Sequence, residues 1–391
     1  MPTLAKENCT GCTACISVCP KQCLQATTDA FGFTYPTLRD PSTCIECGLC
    51  ERTCPVLKKT SLTHQPIAYA AYSKNMSLRM ESSSGGVFSE LASRILEKGG
   101  VVYGAAYTDS FEIAHCCVDK LSDLPKLRGA KYAESKLGST FSDILLRLNQ
   151  GQYVLFAGTP CQVSGLKAFL KKEFETLLCV DFVCHGVPSP MAWNSYIHYR
   201  SKQDNDGKLP VSINLRSKDT GWSRYQYSNL FDYGNGTVHQ CTSTNSLFMK
   251  LFVGDYISRN SCETCAFKGY ARVSDITLGD FWGIWEIAPD LDDNHGTSVV
   301  LLQSSKAKAL WKEMQETIVC REVSLEEASR HNLSMLQPSK GNAQRDFALK
   351  QLSVGNFDFC ETLFAPKKPI LRAKISSLKA KLVRKVSFLH R

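Results

Sequence analysis

The chain has 391 residues, of which 43% are hydrophobic and 21% charged, a composition typical of a folded globular protein rather than a disordered or fibrous one. Its length predicts two or three compact units. No apolar run approaches the roughly 20 residues that a membrane-spanning helix needs, and the first residues, MPTLAKENCTGC, lack the features of a secretion signal. We therefore expect a cytoplasmic protein.

The formal net charge of +9 is confined to one end of the chain. Of the 46 Lys and Arg residues, nine lie within residues 367–391, which hold no Asp or Glu, and the rest are matched by 37 acidic residues. A neutral body argues against nucleic-acid binding, which relies on a basic surface. The chain also has 19 cysteines. Because reducing compartments keep thiols free, metal or cluster binding is the leading explanation for so many.

The first predicted unit, residues 1–60, carries two copies of a cluster-binding motif. The spacing C-x2-C-x2-C-x3-C-P occurs twice, 35 residues apart. Thiolates are the soft ligands that iron–sulfur clusters require, and in two-cluster ferredoxins the fourth cysteine of each run binds the other cluster. The sequence therefore predicts two [4Fe–4S] clusters in a ferredoxin-like α+β domain. The expected ligands are Cys9, Cys12, Cys15 and Cys54 for the first cluster and Cys44, Cys47, Cys50 and Cys19 for the second.

Zinc is the alternative for these thiols, since C-x2-C pairs also occur in structural zinc sites, although zinc motifs normally set two pairs a dozen or more residues apart. Cys23 lies outside the pattern and is expected to be a small buried residue. Residues 29–38, DAFGFTYPTL, predict a short hairpin packed over the clusters. Because a domain of this size buries little core, the clusters should supply much of its stability.

From residue 65 onwards, apolar strands alternate with amphipathic helices, which predicts an α/β domain. A helix around residues 87–95 leads into a strand at 101–107, and a helix around 141–148 leads into a strand at 153–158. Another buried strand is expected within residues 177–186. Residues 211–241 alternate around a Gly-Asn-Gly turn, which predicts an antiparallel segment added to the main sheet. Strand, helix and strand follow up to residue 323. We divide the body into residues 65–150, 151–330 and 331–391.

Four further cysteines lie in unusual surroundings, namely Cys161 in GTPCQ, Cys184 in VCHGVPSP, and Cys262 with Cys265 in SCETCAF. Cys161 opens a predicted helix, whose N-terminal dipole stabilises a thiolate, and both Cys161 and Cys184 follow strands. Since α/β proteins place ligands at the carboxyl ends of strands, the C-x2-C pair can join both to give four thiolates, enough for a third cluster. Free buried cysteines are the alternative, and spacing does not decide between them.

The motifs SSSGG, GTPCQVSGLKAFL, CHGVPSP and SCETCAFKGYARVSDITLGDFWG together resemble a known family. They are similar to the beta subunits of coenzyme F420-reducing hydrogenase and formate dehydrogenase, over roughly residues 65–330. The resemblance implies an FAD-containing iron–sulfur protein that moves electrons between one-electron clusters and a two-electron acceptor. It places a third [4Fe–4S] cluster on Cys161, Cys184, Cys262 and Cys265, within residues 151–330. It assigns the flavin to residues 65–150, with its phosphates on Ser84, Gly85 and Gly86 and with Lys131 and Tyr132 beside it.

Physical reasoning leaves alternatives open for these residues. A glycine-bearing helix start is an anion site, but residues 82–84 can equally be helix N-caps. Lys131 can stabilise a reduced flavin anion, although an exposed lysine on a solvated loop is the commoner case. Arg272, Asp275 and Asp280 are expected to form a polar group beside the C-x2-C pair and to orient cluster or substrate, with structural ion pairing as the alternative.

Two functions therefore compete. The first is an FAD- and iron–sulfur-dependent oxidoreductase that acts on coenzyme F420 or another organic molecule and exchanges electrons with a ferredoxin or a catalytic subunit. The second is a non-catalytic electron-transfer subunit of a larger redox complex.

In residues 367–391, apolar residues recur at intervals of three and four, opposite a face of Lys and Arg. This pattern predicts an amphipathic helix that binds an anionic membrane surface. A helix docked on protein is the alternative, and no nucleic-acid partner is expected.

Overall fold

The computed structural model of the chain describes residues 3–58, 62–223 and 225–365. Residues 1–355 form one compact unit and residues 356–391 are a second. The basic amphipathic segment predicted at residues 367–391 lies outside the described residues, and the finer division of the chain into four segments stays a prediction. Within the described residues, no helix has the length and apolar character needed to cross a membrane.

The duplicated cysteine motif folds as a duplicated structure. Each copy begins with a 3-10 turn, Lys6–Asn8 or Pro41–Thr43, that leads into the first cysteine. Each copy then passes a residue in the left-handed region, Thr13 or Gly48, and enters a one-turn helix. The helices are α1 (Ala14–Ser17) and α2 (Leu49–Arg52), and between them lie the paired antiparallel strands β1 (Leu24–Thr28) and β2 (Thr34–Leu38). The 35-residue repeat is therefore structural, and the predicted hairpin is present.

An eight-stranded mixed sheet forms the centre of the body. Its strands are β3 (Ile67–Ser73), β4 (Val101–Tyr107), β5 (Ile113–Val118), β6 (Val154–Ala157), β7 (Leu177–Phe182), β11 (Ile276–Asp280), β12 (Ser298–Leu302) and β13 (Ile318–Val323). Their order is β13-β3-β12-β11-β7-β6-β4-β5. The four central strands β4, β6, β7 and β11 are parallel, and the outer pairings are antiparallel. Parallel strands at the centre confirm the α/β prediction for this part of the chain.

The antiparallel segment predicted at residues 211–241 does form, with its turn at Gly234 and Gly236. Its strands are β8 (Ser212–Ser217), β9 (Ser228–Asp232) and β10 (Val238–Thr242). They make a separate three-stranded sheet and do not extend the main one. The expectation that this segment joins the main sheet was therefore wrong, because local alternation predicts a strand but not its neighbours.

Helices pack on both faces of the main sheet. In chain order, the helices after α2 are α3 (Met76–Glu81), α4 (Val87–Glu97), α5 (Thr140–Asn149), α6 (Pro160–Leu170), α7 (Pro190–Asp204), α8 (Leu247–Val253), α9 (Ile284–Ile287), α10 (Ser305–Glu313), α11 (Leu325–Ser329) and α12 (Arg345–Ser353), while α13 (Phe359–Leu363) belongs to the second unit. Helices α4 and α10 pack on one face of the main sheet, and α5 and α6 pack on the other. Alternate strand residues face opposite layers: Val102 packs with α4 and α10, whereas Val101 packs with α5 and α6. Cys12 and Ala14 belong to that second layer. The loop that holds the first cysteines is therefore part of the core of the body.

Candidate cluster and flavin sites

The four cysteines predicted for the first cluster lie close to one another in pairs. Cys9 interacts electrostatically with Cys54, and Cys15 interacts with both of them. Cys12, one position before the left-handed turn that precedes α1, interacts with Cys9 and Cys15. Burial raises the pKa of Cys15 to about 12. Deprotonating these thiols therefore requires a compensating positive charge, which a bound metal cluster supplies.

The second predicted set lies nearer the surface, where Cys47 is exposed. It is linked to the first set, because Cys15 interacts with Cys50. It also contains an additional thiol: Cys23 Sγ lies 3.3 Å from Cys19 Sγ, and Cys23 also interacts with Cys44. Cys23 is 5% exposed, as predicted, but its position among the cysteines of the second set was not expected. Its spacing of four residues from Cys19 was the available signal.

The four dispersed cysteines line a single cavity. Cys161 lies in the first turn of α6, Cys184 follows β7, and Cys262 ends the 3-10 turn Asn260–Cys262 just ahead of Cys265. Cys161, Cys184 and Cys262 each interact electrostatically with Cys265. No three His, Cys, Asp or Glu side chains within the described ranges converge as they would on one metal ion. The four cysteines therefore share one cavity and interact with one another in pairs.

Polar groups are arranged to stabilise thiolates in this cavity. Burial raises the pKa of Cys184 to about 11, and the ammonium of Lys268 opposes that rise. The backbone N–H of Val187 lies 3.3 Å from Cys262 Sγ and donates to it. Thr159 Oγ1 lies 3.1 Å from Cys161 Sγ. Such donors and nearby cations favour the charged form of sulfur. The residues present therefore fit a four-thiolate ligand set.

The first and third cysteine sets are neighbours. Cys12 interacts with Cys161, and Thr10 lies in the wall of the third-set cavity. Gly165 in α6 faces the same loop, since a Cβ placed on it would lie 2.9 Å from Cys12 Cβ. The three sets thus form a continuous series from the exposed Cys47 to the interior of the body.

The Ser84-Gly85-Gly86 turn fits tightly between strands of the main sheet. Ser84 Oγ donates to Thr297 O at 3.1 Å, and the N–H of Gly85 donates to Ser298 Oγ at 2.9 Å. A Cβ on Gly85 would lie 2.4 Å from Ala71 O, so only glycine fits there. Gly86, with φ of 85°, is the N-cap of α4. These contacts give the turn a structural role, and its binding of flavin phosphates stays a prediction.

Lys131 and Tyr132, the other predicted flavin contacts, are both partly buried. Lys131 Nζ donates to Arg128 O at 2.6 Å, and burial lowers the pKa of Lys131 to about 7. The ring of Tyr132 lies 5.2 Å from that of Phe252. An exposed, solvated lysine is therefore not what the structure shows at residue 131.

Two buried cations near this turn were missed by the sequence analysis. Arg216 forms an ion pair with Asp280 at 2.7 Å, donates to Ser83 O at 3.2 Å and interacts with Tyr132. Lys218 Nζ donates to Ser84 O at 2.6 Å. Arg216 and Lys218 are 4% and 5% exposed. The signal available in the sequence was the pair of cations in LRSKD, at the end of a strand that otherwise alternates.

The polar group predicted beside the C-x2-C pair is dispersed. Arg272 lines the third-set cavity and lies 3.5 Å from Asp181, so it is the member close to the cysteines. Asp275 instead accepts from the N–H of Cys179 at 2.7 Å and from Ser304 Oγ at 2.7 Å. Asp280 pairs with Arg216. The expectation of a single polar group was therefore wrong, and the alternative of structural ion pairing describes Asp275 and Asp280.

Two family models match the chain. Residues 151–328 match the C terminus of the coenzyme F420 hydrogenase/dehydrogenase beta subunit, and residues 8–57 match a 4Fe-4S dicluster domain. No curated protein matches. Among solved structures, a chain of the F420-reducing [NiFe] hydrogenase complex from Methanosarcina barkeri, studied by xenon derivatization, is 14% identical with a TM-score of 0.47. That match covers 70% of this chain and 90% of the other.

Proposed function

Because the chain contains a 4Fe-4S dicluster domain and the C-terminal region of the coenzyme F420 hydrogenase/dehydrogenase beta-subunit family, we propose that it is an iron–sulfur flavoprotein oxidoreductase. In this proposal it passes electrons between three [4Fe–4S] clusters and, through FAD, a two-electron acceptor. One observation carries the proposal most directly. Cys161, Cys184, Cys262 and Cys265 line one cavity, and Cys161 interacts with Cys12 of the first set.

When bound, iron–sulfur clusters supply single-electron steps, and a flavin can combine two of them for an organic acceptor. The residues of the chain perform the binding and the electrostatics. Cys161, Cys184, Cys262 and Cys265 would hold the third cluster as thiolates. The Val187 N–H donates to Cys262, and Lys268 compensates the charge on Cys184. Cys15 interacts with Cys50 of the second set and Cys12 interacts with Cys161 of the third, so the three sets follow one another within one chain.

Support for a flavin comes from the cations around the SSSGG turn. Arg216 connects the turn, through Ser83 O, with Tyr132. Lys131 would lie beside the isoalloxazine, as the family resemblance implies. Since burial lowers the pKa of Lys131 to about 7, its Nζ can bind or release a proton near neutral pH. Its protonation can therefore change when a group bound beside it gains or loses charge.

A second function, as a non-catalytic subunit that transfers electrons for a separate catalytic protein, is favoured by the surface of the second set. Cys47 is exposed, and Ile45, between Cys44 and Cys47, is 58% exposed. A protein partner can therefore approach the outer end of the series. A redox partner, either a ferredoxin or a catalytic subunit, fits both functions. If the photoreduced protein alone reduces an organic acceptor, the oxidoreductase is favoured over the non-catalytic electron-transfer subunit.

Two parts of the proposal rest on sequence alone. Coenzyme F420 is one candidate acceptor, because the family carries that name, and other organic acceptors are equally compatible with the residues.

Residues 367–391 are proposed to contact an anionic membrane surface through their basic face. Co-sedimentation with phosphatidylglycerol vesicles should be lost when these residues are removed. Binding that survives the truncation would contradict the membrane contact.

The proposed function is tested by the cofactor content of anaerobically purified protein. We expect about 12 iron atoms, matching acid-labile sulfide and one FAD per chain. Cys161→Ser and Cys262→Ser should each reduce iron to about 8 atoms, because they remove ligands of the third cluster only. Cys320→Ser is the matched control, since Cys320 lies on β13 and bonds to Gln315 outside the sites. About 8 iron atoms without flavin in the unaltered protein would refute the proposal.

A further inference from the structure

Arg259 is a fully buried arginine, and each of its three guanidinium nitrogens contacts either residues 3–58 or a buried carboxylate. Its side chain is 1% exposed. Nε donates to Cys9 O at 2.7 Å, and Nη2 donates to Thr34 O at 2.7 Å. Nη1 forms an ion pair with Glu134. The guanidinium therefore binds a cysteine of the first set and the β1–β2 hairpin at the same time.

Glu134 completes the arrangement from the other side. It is 8% exposed, and its Oε1 accepts from the N–H of Thr34 at 2.9 Å. Arg259 and Glu134 thus bind the C=O and the N–H of one residue in β2. A charge pair with this many hydrogen bonds satisfies the conditions under which buried ions are tolerated. Breaking it would leave one charge buried without a partner.

Two aromatic rings and a glycine surround the guanidinium of Arg259. The guanidinium lies 4.3 Å from the ring centroid of Tyr35 and 5.3 Å from that of Phe33. A Cβ on Gly11, whose φ is 71°, would lie 2.9 Å from Arg259 Nη1. Gly11 is the second residue of the first C-x2-C gap. The first cysteine loop is therefore built to bring its backbone against this arginine.

Both partners are also tied to the loops of the third set. The N–H of Arg259 donates to Val187 O at 2.9 Å, and the N–H of Glu134 donates to Pro188 O at 3.1 Å. The N–H of Cys262 donates to Arg259 O at 3.0 Å, and Arg259 itself lines the cavity of the third set. Arg259 and Glu134 are thus fixed to the loops that follow Cys184 and precede Cys262, and through their side chains to the loop of Cys9.

We propose that Arg259 and Glu134 are a positioning pair that fixes the first cluster relative to the third and adjusts the reduction potentials of both. This inference rests on the proposed function, because it requires a third cluster. The guanidinium favours the added negative charge of reduction, whereas the carboxylate opposes it. Net charge and hydrogen bonding near a cluster are established determinants of its potential, and a low-dielectric surrounding strengthens their effect.

If the pair adjusts the potentials, its two single variants should shift the midpoint potentials of the clusters in opposite directions, which a purely structural role does not require. Arg259→Gln should move the midpoint potentials of the first and third clusters in the negative direction. Glu134→Gln should move them in the positive direction, because it leaves the guanidinium uncompensated. Arg259→Lys keeps the charge but lacks the planar fork with which the guanidinium binds Cys9 O, Thr34 O and Glu134 from three separate nitrogens. It should therefore keep potentials nearer those of the unaltered protein and weaken the magnetic coupling between the two clusters.

The experiment is a potentiometric EPR titration of the full-length protein and its variants, with iron analysed in each sample. Arg200→Gln is the control: Arg200 is a partly buried arginine paired with Asp204 in α7, and its removal should leave both potentials unchanged. If Arg259→Gln fails to assemble its clusters, the decision rests with Glu134→Gln, whose potentials must rise. Three clusters with unshifted potentials, or shifts of one sign in both variants, would overturn the inference. An unaltered protein with only two clusters would instead refute the proposed function, and the link to a third cluster with it.

Discussion

Gly165 offers a sensitive test of how the body packs against the first cysteine loop. It lies within α6, and a Cβ added there would lie 2.9 Å from Cys12 Cβ and 3.1 Å from Cys12 Sγ. Gly165→Ala is therefore expected to push α6 and the first loop apart. The substitution separates two physical effects, because helix propensity and packing predict opposite changes in stability.

The two effects can be estimated. Replacing glycine by alanine inside a helix normally stabilises it by about 1 kcal/mol. Inserting a methyl group into a filled core costs about 1–3 kcal/mol, and a contact below 3.0 Å to another Cβ has no flexible side-chain end that could move away. The net expectation is that unfolding becomes easier by about 0–2 kcal/mol. The EPR signal of the first cluster should also change, because the displaced atoms include the Cys12 sulfur.

Urea denaturation of the anaerobic protein, followed by far-UV circular dichroism, measures the stability change, and low-temperature EPR measures the cluster. Ser164→Ala is the matched control, since it introduces the same residue one position earlier in α6 and should stabilise the helix slightly without changing the EPR signal. If Gly165→Ala raises stability by about 1 kcal/mol, as propensity alone requires, and leaves the first cluster unchanged, the close packing of α6 on Cys12 is wrong.

Three other predictions concern buried groups and the clusters. Asp275→Asn should lower the free energy of unfolding in urea by about 3–5 kcal/mol without loss of iron. The reason is that Asp275 accepts from the N–H of Cys179 and from Ser304 Oγ and pairs with Lys306. A change below about 1 kcal/mol would contradict this. Burial lowers the pKa of His115 to about 4, against about 6.5 when unfolded. The unfolded chain therefore binds more protons between these values, and stability should fall as the pH drops from about 6.5 to 4; an equally steep fall in His115→Gln would refute this. When the clusters are removed by oxidation in the presence of a chelator, backbone amides of residues 3–58 should exchange hydrogen much faster, whereas amides of the main sheet should change little. An equal loss of protection in both regions would show that the clusters do not stabilise residues 3–58.

The N-terminal cysteine sets were predictable because their geometry is local. Two-residue gaps place three thiols on one tight loop, and the 35-residue repeat is reproduced turn by turn in α1 and α2. Helix and strand positions in the body also followed from hydrophobic periodicity, as in α4 and β4. In these segments, side chains within about ten residues of each other decide the structure.

Other features depend on which strands become neighbours. The separate β8–β9–β10 sheet was not anticipated, because alternation identifies a strand without its partners. Arg216 reads as an ordinary strand residue until its ion pair with Asp280 is seen. Similarly, Cys23 matched no motif, yet it lies among the cysteines of the second set.

By itself, the sequence determined the eight cysteines of the dicluster domain, the α/β character of the body and the four dispersed cysteines as candidates, because spacing and periodicity are encoded within short segments. Only the tertiary structure decided that Cys161, Cys184, Cys262 and Cys265 share one cavity. It also decided that Arg259 and Glu134 join that cavity to the loop of Cys9. The physical reason is that parallel strands bring distant loops to the same edge of a sheet, whereas a buried charge is tolerated only where the folded chain supplies all of its partners.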